Sequence, residues 1–476
     1  MTGSLLLLPP VIDQTIQRVP LDPWSATGFA LIICVATYLG FRRSPWIAAM
    51  LAFAVPFAAY RDIAHTTITI EKCVVFGAAL GLLLGGAPLW PRSPGARRVL
   101  LAGAALLLAI ILSAANATYE WPVVRELFKQ AEYLVLFWCA ATFVERIGRS
   151  QAYFIGGVAA AAAIVSTLAV SQAVIGGAPS GVWVNGHPLP RVAGTLEGPN
   201  QLAGFLEATL PILWVWPMLI FAWKPLRNYV TGASSAALIL TQSRAGIVIA
   251  ALSYAVLWHL RLATARASLV SMTIGAALGL VVSAAWFVLW AHASFADIQR
   301  LFLFAVPGEP GGVGTRLQLW PAAIELFRRH PIFGVGAGNF EMLLPTVGLH
   351  GIQTHASSLW LQTLAEQGIV GFAALLGFAY VAVRETFALR RDSALSLAAF
   401  LAIASLLAHQ LIDDLFFFPK VAALCWLLLG MGTATVVGSG HHDLRVNGKR
   451  QTPLMSDEEA VVPARAGASD IVRMPH

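Results

Sequence analysis

The chain has 476 residues, of which 58% are hydrophobic and only 12% charged. A water-soluble protein of this length needs far more charge to cover its surface, which excludes a soluble globular enzyme. The net charge of +7 does not indicate nucleic acid, because the basic residues are scattered over short loops rather than gathered on one face.

Residues 1–25 form an N-terminal segment. Met1 to Pro10 has no basic n-region, and Pro9-Pro10 interrupts its short apolar stretch, so no cleavable signal is expected. Apolar runs of about 20 residues, enough to cross a bilayer core, then recur from near Ala26 to near Val437. The sequence predicts an all-α polytopic membrane protein with roughly 12–13 transmembrane helices. Their expected positions are 26–41, 45–60, 72–90, 98–116, 123–144, 152–176, 199–222, 228–241, 245–262, 267–291, 368–388, 394–412 and 417–437. Residues 26–291 thus form a transmembrane bundle, 292–367 an outer loop with some helix, and 368–437 the C-terminal transmembrane helices. The polar tail 438–476 is expected to be disordered. Cys34, Cys73, Cys139 and Cys425 all fall in apolar runs, which predicts buried structural thiols rather than a disulfide framework.

The loops alternate in basic character. One set carries Arg42-Arg43, Arg92 with Arg97-Arg98, Arg146 with Arg149, Lys224 with Arg227, Arg261 with Arg266, Arg384 with Arg390-Arg391, and the tail's Arg445, Lys449 and Arg450. By the positive-inside rule this set, and with it the C-terminus, is cytoplasmic. The other set comprises Asn116 to Trp121, Gly177 to Pro199, the Ser243-Arg244 turn, His292 to His355, and Asp413-Asp414. These loops face outward and hold nearly every residue suited to chemistry.

Within the large outer loop, Gly308-Glu309-Pro310-Gly311-Gly312 makes a turn-rich entrance. From Thr315, Leu317, Trp320, Ile324 and Phe327 recur at helical spacing, predicting an amphipathic helix that lies along the membrane interface or caps the bundle. Pro321 is expected to bend it. Gly334, Gly336 and Gly338 form a flexible turn; no strand precedes them, so a nucleotide cradle is the poorer reading.

Thr354 is the predicted N-cap of a helix ending near Gly368, with His355 in its first turn. His355, Ser358, Leu359, Gln362 and Glu366 then share one face. A general base needs a neutral imidazole, and the positive end of a helix disfavours imidazolium. The plainer alternative is a histidine that only hydrogen-bonds the loop. Arg191, Arg244 and Arg316 accompany it on the outward side. Boundary arginines often merely snorkel, but Arg244 sits in a tight turn almost devoid of other charge. Guanidinium groups suit diphosphate oxygens, because their donors are forked and their charge is permanent. No Asp-x-Asp motif or His/Cys cluster with metal spacing occurs on the outer side. Asp413-Asp414 is the nearest acidic pair, read equally as a helix cap or as a substrate contact.

Five blocks together resemble the O-antigen ligase family of bacterial envelope proteins, which includes related polysaccharide polymerases and protein O-oligosaccharyltransferases. They are Arg191 to Leu202, Thr241 to Gly246, Arg316 to Phe340, Thr354 to Gly371, and Asp414 to Gly430. The most specific is His355 and Leu359 followed by Ala365-Glu366-Gln367-Gly368-Ile369-Val370-Gly371. The residue after the histidine departs from the family's usual polar side chain and is Ala356.

The resemblance implies a GT-C-like glycosyltransferase in the bacterial inner membrane, acting at the periplasmic face. Its implied partners are a glycan donor linked through diphosphate to undecaprenol, a lipid A-core acceptor and membrane lipids, with no nucleic acid. On this reading His355 is the general base, Arg191, Arg244 and Arg316 hold the diphosphate, and Asn200 and Gln353 are further substrate contacts. The donor is already activated, so neither cofactor nor metal is implied. Alternatives are a polymerase extending a lipid-linked glycan, a protein glycosyltransferase, and a transporter of lipid-linked glycans. The last draws on Glu126, Lys129 and Glu132 within a span, which line a cavity or simply pair at helical spacing.

Overall fold

The computed structural model describes residues 21–57, 60–63, 66–147, 149–176, 180–184, 187–215, 224–259, 263–297, 313–390 and 394–435. The Gly308–Gly312 entrance, the tail 438–476 and most of the N-terminal segment lie outside these residues. The elements in chain order are α1 (Pro23–Phe41), α2 (Trp46–Ala54), β1 (Tyr60–Ile63), β2 (Thr66–Thr69), α3 (Ile70–Leu84), α4 (Pro94–Ser113), α5 (Glu120–Arg146) and α6 (Ser150–Ile175). They continue with β3 (Ser180–Val184), β4 (His187–Pro190), α7 (Pro199–Val215), α8 (Lys224–Leu240), α9 (Arg244–His259) and α10 (Ala263–Ala285). Last come α11 (Val313–Arg329), α12 (Phe340–Leu343), α13 (Leu359–Ala388), α14 (Ala394–His409) and α15 (Pro419–Thr433).

This is an all-α polytopic membrane protein. Among the described residues, six helical stretches are long and apolar enough to cross a membrane by length and composition: 23–41, 94–116, 120–146, 150–175, 268–290 and 359–388. Arg244–His259, Leu395–His409 and Pro419–Thr433 are shorter apolar helices. The second expected span is cut to the nine residues of α2, because Pro56 has no N–H to continue the ladder. The chain then turns into the antiparallel hairpin of β1 and β2, with Tyr60 opposite Thr69. A second hairpin, β3 with β4, precedes Arg191.

The core runs through α7 and α15, whose residues from Leu202 to Trp214 and Val421 to Met431 are almost wholly buried. Helix α15 packs on α5, α14 on α7, and α13 on α4. Close approach uses glycine at four-residue spacing. A Cβ on Gly77 or Gly81 would fall against the backbone of Ile33 or Thr37, which seats α3 on α1. Of the cysteines, Cys73, Cys139 and Cys425 are buried, but Cys34 is exposed. It lies on α1, a peripheral helix whose apolar surface is mostly outside the packed core.

Ion pairs sort the helix ends into two groups. At one end, the amides of Arg92 and Ser93 donate to the Glu145 carboxylate at 2.9 and 2.7 Å, while Arg98 and Arg384 both pair with Glu385. At the opposite end of α4, α5 and α13 lie Ser113, Tyr119 and the His355 segment.

Helix α11 forms where the apolar spacing predicts a helix, but it packs with a different face. Leu319, Ala322, Ala323 and Leu326 are buried with Val335, Phe340 and Leu344, whereas Leu317 and Ile324 are exposed. Trp320 and Phe327 of the first stripe are partly buried, and the second stripe carries the alanines that allow close packing. Gly334, Gly336 and Gly338 all adopt positive φ, but their turn is pinned rather than flexible. Helix α13 kinks at Gly368 (φ 62°, ψ −161°), which frees carbonyls that the turn then satisfies. Val335 and Gly336 donate to the carbonyls of Ala365 and Glu366, and Ile369 and Val370 donate back to Pro331 and Ile332. The expected outer helix and the following span are therefore one kinked element, α13.

Candidate active site

Elements far apart in the chain bring the arginines together. Arg191 follows β4, and its Nε donates to the Thr241 carbonyl at 2.8 Å, which ties the loop to the end of α8. A second guanidinium nitrogen donates to Asn200 Oδ1 at 2.9 Å, in the first turn of α7. The Asn200 amide in turn donates to Asp413, in the turn between α14 and α15. Arg316, near the start of α11, places a guanidinium nitrogen 3.8 Å from the same Asp413 carboxylate. Its Nε is buried with no hydrogen-bond partner among the described residues. Arg244 opens α9 and acts electrostatically on both Arg191 and Arg316.

Burial lowers the Arg191 pKa to about 10, Asp413 opposes that shift, and the Arg244 and Arg316 charges add to it. Burial lowers Arg316 in the same way. Arg191 reaches the Asp413 carboxylate through Asn200, Arg316 reaches it directly, and Arg244 is close enough to act on both arginines. Guanidinium groups gathered in this way suit the forked oxygens of a diphosphate.

His355 lies beside this cluster but not where the sequence placed it. The N-cap of α13 is Ser358, not Thr354, and Ser358 accepts from the Leu361 amide. His355 therefore sits in the non-helical segment ahead of the helix, outside its first turn and off the face of Gln362 and Glu366. Ser357, at φ 51°, interrupts any earlier start. The segment is docked on the Asp413 turn, because the Leu359 amide donates to the carbonyls of Gln410 and Asp413 at 3.1 and 3.2 Å. The imidazole stacks on Phe417, with ring centroids 5.1 Å apart. Its Nδ1 accepts from the Ser357 amide at 3.1 Å. A backbone N–H can only donate, so the neutral ring in this arrangement carries its proton on Nε2.

The two aspartates divide the work. Asp413 serves the arginines, while Asp414 accepts from the amides of Phe416 and Phe417 at 3.2 and 3.0 Å and caps that turn. Burial raises the Asp414 carboxyl pKa, and the charges of His355 when its ring is protonated and of Lys129 oppose the rise. Lys129 pairs with Glu126 at 3.1 Å and donates to the Phe417 carbonyl at 2.9 Å. The expected pairing of Glu126 and Lys129 thus also fixes the histidine's stacking partner. Gln353 is exposed, and no side-chain hydrogen bond ties it to the cluster among the described residues.

Sequence reasoning missed the support beneath this site. Glu366 Oε1 accepts from the Phe340 amide at 3.1 Å and from Gln362 Nε2 at 2.8 Å, and Gln362 Oε1 accepts from the Ala356 amide at 2.6 Å. It missed the fully buried His409–Glu207 pair at 3.0 Å as well. An isolated carboxyl and imidazole in two apolar spans were the signal for that pair.

Residues 229–376 match the family model described as O-Antigen ligase. The matched stretch runs from α8 into α13 and contains Arg244, Arg316, His355 and the Gln362–Glu366 support. No curated protein matches the chain. Over this region the chain is similar to the O-antigen ligase family.

Proposed function

We propose that the protein transfers a glycan from undecaprenyl diphosphate to a sugar hydroxyl of lipid A-core, at the periplasmic face of the bacterial inner membrane. The observation that carries this reading is the chain from Arg191 through Asn200 and Asp413 to Arg316, with Arg244 close enough to act on both arginines, beside the docked His355 segment. Transfer without a metal needs fixed cations at the leaving group, and three guanidinium groups meet that need. The acceptor oxygen attacks the anomeric carbon, the bond to the diphosphate breaks, and polyprenyl diphosphate leaves with the bonding pair. A single displacement inverts the anomeric centre. The His355 imidazole, stacked on Phe417, lies at the reacting end of the cluster in this scheme.

An apolar groove of about 380 Å³, lined by Val174, Val281, Ala285, Trp286, Leu289 and other apolar residues, suits the polyprenyl chain. Ala173, which also lines it, follows Gln172, whose side chain accepts from the Ala193 and Gly194 amides just after Arg191.

Purified protein incubated with lipid-linked glycan and lipid A-core in a chelator tests the reading. Glycan-bearing lipid A-core is the expected product. Longer lipid-linked glycan instead would favour the polymerase, and glycan that changes sides without changing its attachment would favour the transporter.

A further inference from the structure

We propose that the buried Glu207–His409 pair positions the candidate active site: its hydrogen bond sets the spacing between α7 and the end of α14, and so holds Asn200 against Asp413. The inference rests on the transferase reading above and assigns Glu207 and His409 to the same site as positioning residues.

Helix α7 presents Asn200, Gly204 and Glu207 on one face, because steps of four and then three residues bring helical side chains into line. The chain from His409 to Leu415 meets that face at each of these positions. The Asn200 amide donates to the Asp413 carboxylate. Leu415, fully buried, seats against Gly204, where a Cβ would fall 2.6 Å from a Leu415 methyl carbon. Glu207 Oε2 lies 3.0 Å from His409 Nδ1. Between these contacts the segment is braced by its own bonds. The His409 carbonyl accepts from the Asp413 amide at 3.1 Å, and Gln410 Oε1 accepts from the Leu415 amide at 2.9 Å. A displacement at His409 is therefore passed on to Asp413.

Both halves of the site depend on where Asp413 sits. Its carboxylate joins Arg316 to Asn200, and through Asn200 to Arg191. Its carbonyl, with that of Gln410, accepts from the Leu359 amide that docks the His355 segment. Glu207 is fully buried, so it acts on substrate only through this turn.

Packing alone does not account for the pair. Two apolar side chains of similar volume would fill the space without desolvating a carboxylate and an imidazole. Glu207 Oε1, moreover, is buried with no hydrogen-bond partner among the described residues. What an apolar pair lacks is direction. Hydrophobic contact is non-directional, whereas a hydrogen bond confines both distance and angle.

Titration of the purified full-length protein with undecaprenyl diphosphate, alongside transfer kinetics and Tm, tests this. Glu207→Gln keeps the side-chain length and can bond either tautomer of the imidazole, so its affinity should stay within about threefold of native. Glu207→Asp is a methylene short, so it breaks the bond or draws the turn inward; affinity and kcat should each fall about 10-fold. Glu207→Leu combined with His409→Leu removes the pair as a unit. Its Tm should match or exceed the native value, yet its affinity should still fall by about 10-fold or more. Native affinity and kcat in this apolar variant would make the pair merely structural and overturn the proposal. If the apolar variant fails to fold, the single variants decide: equal losses in Gln and Asp, or native behaviour in Asp, overturn it as well. Native protein that binds undecaprenyl diphosphate but transfers to no hydroxyl acceptor would overturn the transferase reading alone, since the pair is read by binding. Native protein that binds none would overturn the donor reading and the proposal with it.

Discussion

Replacing Gln362 by methionine keeps the volume and helix propensity of the site but removes both of its hydrogen bonds. The Ala356 amide is fully buried, and Gln362 Oε1 at 2.6 Å is its acceptor. An unsatisfied buried donor costs about 1–3 kcal/mol. Glu366 Oε1 keeps the Phe340 amide but loses its 2.8 Å bond from Gln362 Nε2. If the cost falls on the 352–357 segment, its opening equilibrium shifts by about 5- to 150-fold. Hydrogen exchange of peptides covering 352–361 should accelerate by that factor, while the bundle helices exchange as before. Transfer should fall mainly in kcat, since His355 is held through its neighbour and the arginine cluster is untouched. Unchanged exchange in this segment, with kcat within about twofold of the native protein, would refute the idea that Gln362 supports the histidine.

Arg191→Lys keeps a cation but cannot hold the Thr241 carbonyl and Asn200 together. A lost charge-assisted hydrogen bond of about 1.5–3 kcal/mol should weaken donor binding about 10- to 150-fold, read as KM or by titration. Asp414→Asn retains an oxygen to cap the Phe416 and Phe417 amides but has no carboxyl to ionise. Because burial raises the Asp414 pKa, the native protein loses stability as pH rises from the unfolded value of about 3.9 through the folded one. The Asn variant should show a flatter Tm against pH in that window, and an equal slope in both proteins would remove Asp414 as its cause. Gly368→Ala should cost about 1–3 kcal/mol, seen as a lower Tm, since the residue sits at φ 62° and a Cβ would meet the Ile332 carbonyl.

Much of the architecture was readable in the sequence because the membrane imposes it. A stretch such as 123–144 or 152–176 satisfies its own backbone and matches the bilayer with no knowledge of its neighbours, and α5 and α6 form there. Arg191, Arg244 and Arg316 stood out because a permanent charge beside apolar spans needs a reason. The chain from Arg191 through Asn200 and Asp413 to Arg316, with Arg244 near both arginines, spans residues 191 to 413 and was not in any local pattern. The same holds for α11, where helical spacing revealed a helix but not that Leu319 and Leu326 would be buried in place of Leu317 and Ile324.

The sequence by itself determined the class of protein, the polar end of the bundle and the residues with chemical potential, because hydropathy, charge and motif order are local properties. Only the tertiary structure decided which nitrogen of His355 is free, which aspartate serves the arginines, and that Glu366 and Gln362 carry the segment between them. Those outcomes depend on hydrogen bonds between residues far apart in the chain, where a buried donor accepts whichever partner the packing of α13, α11 and the Asp413 turn places within about 3 Å.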